Sequence, residues 1–173
     1  MKRLLLVVAS FVVLSGCSAK LEDYAGVEPQ LKLEDFFKGE LVAYGMVQDY
    51  RNMVNQRFKV DMIGSWEGNE GVLDETFYYA DGSTSKRIWY ITKTAEGRYV
   101  GRADDVIGSA DGRVVGNTLN WVYDLQIELD GEPFVITLDD WLYLIDENNM
   151  MNRTEMRKFG ITVGEITIYI GKK

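Results

Sequence analysis

A 173-residue chain with no histidine, a single cysteine and a net charge of −8 excludes several chemistries at once. It can assemble no Ser-His-Asp triad, no Cys-His dyad and no zinc site of histidine or paired cysteines, and no disulfide can close within it. The acidic balance argues against nucleic acid and against a basic patch that grips anionic lipid.

The chain begins MKRLLLVVASFVVLSGCSAK. Lys2 and Arg3 precede an apolar stretch, Leu4 to Leu14, that is too short for a stable spanning helix and has the length of a signal-peptide core. It closes with Leu14-Ser15-Gly16-Cys17, which resembles the bacterial lipobox, where cleavage falls just before a lipidated cysteine. The alternative is an ordinary signal peptide or membrane anchor with an incidental cysteine, but Cys17 stands at the one position the motif requires. The lipobox reading implies loss of residues 1–16, membrane attachment through acyl chains on Cys17, and a mature charge of about −10. Ser18 follows where an aspartate would mark inner-membrane retention, so the expected address is the outer membrane of a Gram-negative host, facing the periplasm.

Residues 17–35 are polar and poorly periodic, and read as a lipidated terminus and tether leading to a short helical turn near Leu33 to Lys38. Residues 36–173 then follow period two as a single domain. Phe58, Val60, Met62 and Trp66 share one face of the second run. Leu119, Trp121, Tyr123, Leu125, Ile127 and Leu129 share one face of the longest. Turn signals stand at Asp81-Gly82, Glu96-Gly97, Asp111-Gly112, Asp130-Gly131 and Asn148-Asn149. The pattern predicts strands at 39–49, 56–66, 71–80, 85–94, 97–104, 113–129, 134–146, 150–158 and 161–170, with a break or bend near Gly116. About eight to ten sequential antiparallel strands favour an all-β, up-and-down, lipocalin-like barrel, whose closure removes exposed edges. Outward charges set it apart from a membrane-spanning barrel, and a small barrel of this kind can hold one ligand.

Several polar residues fall on apolar faces. Glu75 lies among Leu73, Phe77 and Tyr79, and Arg87 among Trp89 and Ile91. A three-residue Ala80-Asp81-Gly82 loop places Glu75 opposite Arg87, whereas a two-residue turn at Asp81-Gly82 sets them facing apart. The functional reading is an internal ion pair awaiting an anionic headgroup; the bland one is a structural salt bridge or two solvent-facing charges. Asp104 and Asp105 in GRADDVIG are sequence neighbours on opposite faces, unsuited to paired acid–base work, and show no calcium-loop spacing. A turn or cap is their expected role. Trp121 and Tyr123, with Asn117 and Asn120, bring aromatic and polar groups to the longest strand. Met150, Met151 and Met156 suit either a core or a permissive lipid pocket.

In DDWLYLIDENNMMNRTEMRKFG, residues 139–160, Asp140 falls with Ile136, Leu138, Leu142 and Leu144, while Asp139 falls with Trp141, Tyr143 and Ile145. Both faces are largely apolar, so one must be covered by the N-terminal segment, a membrane or a protein. Only one of the two acids can face the interior, and its expected partner across the hairpin is Arg153 or Arg157.

The segments FFKGELVAYG, DETFYYADGS, KRIWYI, GRYVGRADDVIG, GNTLNWVYDL, DDWLYLID and NRTEMRKFGITVGE resemble the bacterial lipoprotein family catalogued as domain of unknown function 3833. The resemblance runs from about residue 36 to the end and brings no established activity or catalytic residues. It implies a lipid-anchored envelope protein, associated with lipid-modifying envelope systems. A looser similarity to lipocalin-like (calycin) barrels rests on strand pattern alone. The leading expectation is a noncatalytic barrel, without cofactor or metal, that binds a lipid or other amphipathic small molecule. Its candidate binding residues are Glu75, Arg87, Trp89, Trp121, Tyr123, Asp140, Trp141, Arg153 and Glu165. The alternatives are an assembly lipoprotein binding another envelope protein, and an enzyme using Glu75, Asp140 or Glu165 with Arg87 or Arg153.

Overall fold

The computed structural model describes residues 19–129 and 131–173, so the expected signal segment and Cys17 lie outside the described residues. A short 3-10 turn, Leu21–Tyr24, and a one-turn helix α1, Leu33–Phe36, precede ten strands. These are β1 (Gly39–Asp49), β2 (Val54–Glu67), β3 (Glu70–Tyr79), β4 (Thr84–Ala95) and β5 (Arg98–Arg102). They continue as β6 (Val106–Val115), β7 (Thr118–Leu129), β8 (Glu132–Asp146), β9 (Asn149–Lys158) and β10 (Ile161–Lys172). Each strand pairs antiparallel with its sequence neighbours, and β1 pairs with β10 to close an up-and-down barrel. The all-β barrel class is therefore as the alternation implies.

The strand expected at 113–129, with a break or bend near Gly116, is two strands that part at that glycine. Asp111-Gly112 is not a turn but lies inside β6, paired with Val122 and Trp121. Its glycine is there for space: a Cβ on Gly112 would stand 3.0 Å from the Trp121 ring and 3.1 Å from Leu119. The real reversal is at Gly116-Asn117, between the paired residues Val115 and Thr118, with Gly116 at φ +57.

Alternation sorts the side chains. Val60 and Met62 on β2, Trp121, Tyr123 and Leu125 on β7, and Leu138, Asp140 and Leu142 on β8 are buried inward-facing residues. One end of the barrel is covered. Leu31, Leu33, Phe36 and Phe37 are buried there, and the chain is fastened by polar bonds to strand ends. Leu31 N–H donates to the Gly116 carbonyl at 2.9 Å, and Trp66 Nε1 donates to the Phe37 carbonyl at 3.0 Å. Glu34 accepts from the Tyr99 hydroxyl at 2.6 Å and from Lys93 Nζ at 2.8 Å. Residues 21–37 thus form a strap and floor. Upstream, Tyr24 lies on the outer face against Trp141 and Tyr143, with centroids 6.3 and 5.8 Å away. Tyr24 thus covers part of the second apolar face of β8, while Ile145 on that face is 57% exposed. Tyr50, Met53, Phe159 and Ile161 stand exposed at the opposite rim, on the neighbouring β1–β2 and β9–β10 tips.

Candidate functional site

The barrel encloses a cavity of about 230 Å³ that runs from Leu33 and Phe37 at the floor to Val47, Gln56 and Tyr79 near the opposite rim. Its wall is mostly apolar, with Phe58, Phe77, Leu125, Leu138, Ile166 and Ile168 among the lining residues. Trp89 and Trp121 stack at 5.3 Å with an interplanar angle of 18°, and Tyr123 stands edge-on to Trp89 at 5.4 Å.

The polar groups come from the centres of β3, β4, β7, β8 and β9, and from the β5–β6 turn. The Ala80-Asp81-Gly82 loop is the three-residue form: Tyr79 N–H donates to the Ser83 carbonyl, Gly82 N–H to the Tyr79 carbonyl, and Gly82 has φ +87. Glu75 therefore stands in register with Arg87. The internal ion pair between them does not form. The chain turns after β5 and brings Asp105 alongside Arg87, whose Nε and Nη2 both donate to Asp105 Oδ2, at 2.9 and 2.5 Å. The arginine's charge is answered by a turn residue.

Glu75 Oε2 is inaccessible and has no hydrogen-bond partner among the described residues. Glu75 as a whole is only half-buried and borders the cavity; of its two carboxyl oxygens, Oε2 is the one closed off. Burial pushes this carboxyl up to about 7, against the pull of Arg87 and with help from the charges of Asp105, Asp140 and Asp74. Asp105 Oδ1 and Trp121 Nε1 also lack partners.

Asp140 is buried and inward, where it accepts from the Tyr123 hydroxyl at 2.9 Å and from Thr154 Oγ1 in a shorter bond. Burial raises its pKa, and the Thr154 and Tyr123 hydrogen bonds oppose the rise. Burial, with the Asp140 charge beside it, takes the Tyr123 hydroxyl well above its ordinary value. Asp139 points outward, with Arg157 Nη2 2.9 Å away. The two acids do face apart. The expected arginine, however, belongs to the outward one, and the inward one is held by a tyrosine and a threonine.

Of the residues expected at the site, Glu75, Arg87, Trp89, Trp121, Tyr123 and Asp140 line the cavity. Trp141, Arg153 and Glu165 do not. Having Asp140 inside turns Trp141 out by the two-residue period. Having Asn152 and Thr154 inside turns Arg153 out, where it pairs with Glu165 at 2.6 Å. Asn152 and Thr154 also line the cavity and were not among the expected residues; Asp105, expected as a turn or cap, does sit in the β5–β6 turn, but its hold on Arg87 was not expected. For β9 the alternation separates Met150, Asn152, Thr154 and Met156 from Met151, Arg153, Glu155 and Arg157, but only the turn length tells which set faces in. Asp105 left no periodic signal, because it sits in a turn. Among the described residues no cluster of carboxylates is arranged to hold a metal ion.

A family model described as "Protein of unknown function (DUF3833)" matches residues 11–172. No curated protein matches the chain significantly. Among solved structures, the chain is similar to a protein of unknown function from the DUF3598 family of Nostoc punctiforme. The TM-score is 0.56 at 11% identity, over 84% of this chain and 50% of that one. This chain thus spans about half the length of that protein, and the likeness is one of fold.

Proposed function

The chain belongs to the DUF3833 family, and we propose that it is an outer-membrane lipoprotein whose barrel binds one lipid or other amphipathic small molecule on the periplasmic side. The observation that carries the binding role is the apolar cavity of about 230 Å³ with an enclosed, unpartnered carboxyl on its wall. Protein interiors are close-packed. A fold that keeps an apolar space of that size open at one rim is shaped for an occupant. The anchor rests on Leu14-Ser15-Gly16-Cys17.

Gentle purification followed by native mass spectrometry, together with displacement of a fluorescent amphiphile, tests the binding. One ligand per chain is expected, lost in Val47→Trp, which narrows the cavity near its rim. Absence of both a copurifying amphiphile and saturable displacement overturns the reading. Cys17→Ser tests the anchor separately, moving the protein from the membrane to the soluble fraction.

A second reading, an enzyme acting on such a molecule, draws on Glu75: a carboxyl at about 7 beside Arg87 in an enclosed site is placed for acid–base work near neutrality. Turnover of a bound amphiphile, lost in Glu75→Gln while binding persists, would distinguish it. The exposed tips Tyr50, Met53, Phe159 and Ile161 favour a third, an envelope-protein binder. Photo-crosslinkers placed there would trap one dominant partner.

A further inference from the structure

We propose that the polar group of the ligand is an N–H or O–H donor received by Glu75, and that the cavity selects such amphiphiles over those headed by carboxylate or phosphate. This rests on the binding role proposed above and fixes its chemistry.

Two carboxyl groups, Glu75 and Asp140, and one cation, Arg87, line the cavity, and Asp105 stands against Arg87 outside that lining. Arg87 is already neutralised by Asp105, to which it makes two hydrogen bonds. Asp140 is supplied with donors by Tyr123 and Thr154. That leaves Glu75 as the cavity-lining carboxyl that receives no hydrogen bond among the described residues. An unanswered enclosed acceptor costs free energy, and a donor brought to it recovers that cost. An anionic head brought to Arg87 would have to displace Asp105 or share the arginine with it, and would stand among like charges. A head that can also accept, such as a hydroxyl or an amide, suits a wall that includes the unpartnered donor Trp121 Nε1.

The test uses three amphiphiles with the same chain, decylamine, N-decylacetamide and decanoate, titrated calorimetrically into the whole mature protein at about pH 8, where the three heads are cationic, neutral and anionic. The amine and the amide are expected to bind about tenfold or more tighter than decanoate, the effect of one hydrogen bond to a charged acceptor. Glu75→Gln should bring the ratio close to one. Asp139→Asn removes an equal charge from the outer face and should leave the ratio unchanged, which separates the site from the general acidity of the chain. Decanoate binding as tightly as the amine and the amide overturns the inference while leaving a binding barrel. A preference that survives Glu75→Gln also overturns it. If none of the three binds, the binding role itself falls. Should Glu75→Gln not fold, the wild-type ranking repeated at about 0.5 M salt, where exposed charges are screened, decides the matter: a lost preference overturns the inference and a retained one supports it.

Discussion

Glu75 shows how one carboxyl can work against the fold that encloses it. Its pKa is raised to about 7, mainly by burial and also by the charges of Asp105, Asp140 and Asp74, with Arg87 on β4 opposing. The folded chain therefore holds this proton where the unfolded chain has released it. Its contribution to stability is full below the ordinary glutamate range and is lost as pH rises through about 7. Glu75→Gln should accordingly change little near pH 5 and stabilise by up to about 3 kcal/mol near pH 8. Thermal melts of both proteins across that range check it, and a difference that stays flat with pH refutes it. That Glu75 faces Arg87 was legible in the sequence once the loop after Tyr79 was taken as three residues. That they are not a pair was not legible, because the competing Asp105 lies in a turn, where side-chain direction follows no period.

Among the elements, the strap across the floor is held at a few points. A methyl on Gly116 would stand 2.0 Å from the Tyr24 carbonyl oxygen and 3.0 Å from that of Val27, at a φ that disfavours other residues. Gly116→Ala should cost about 1–3 kcal/mol and loosen residues 21–37 first. Amide exchange should rise there while the ladder of β7 and β8 stays protected. Uniform loss of protection would mean that the strap is not a separate unit. Leu33, fully buried between the strap and the cavity, is the matching apolar fastening, and Leu33→Ala should lower stability by about 2–5 kcal/mol in urea unfolding. The strand count was almost readable. Nine runs stood out by alternation, and the tenth was hidden because Gly112 imitates a turn residue while serving as clearance for an indole from the neighbouring strand.

For the whole molecule, turn spacing was enough to indicate an up-and-down barrel, since a meander of such strands avoids open edges by joining its first strand to its last. The size of the interior was not readable. It depends on ten strands rather than nine, and on which of two largely apolar faces of β8 turns inward. That choice goes with Tyr24 packing on Trp141 and Tyr143, a contact between segments more than a hundred residues apart. The same long-range closure, β1 on β10, ties the ends of the domain together, so the barrel should melt in one transition.

The strap also gives the barrel a heading. Glu22 pairs with Arg113 at the floor end of β6, and the 3-10 turn beside it packs against β6 and β7, so the polypeptide joins the barrel on the side away from the rim of Tyr50 and Phe159. With Cys17 moored in a bilayer as proposed, the mouth looks across the aqueous gap instead of down into its own leaflet. A fluorophore on Asn148→Cys, in the floor-side β8–β9 turn, should be dimmed by bilayer-embedded quenchers, while one on Ser83→Cys, beside the mouth, stays bright; equal dimming would reverse the picture. A cup held this way up, with the ligand proposed above inside it, would exchange its contents with something that comes to meet it.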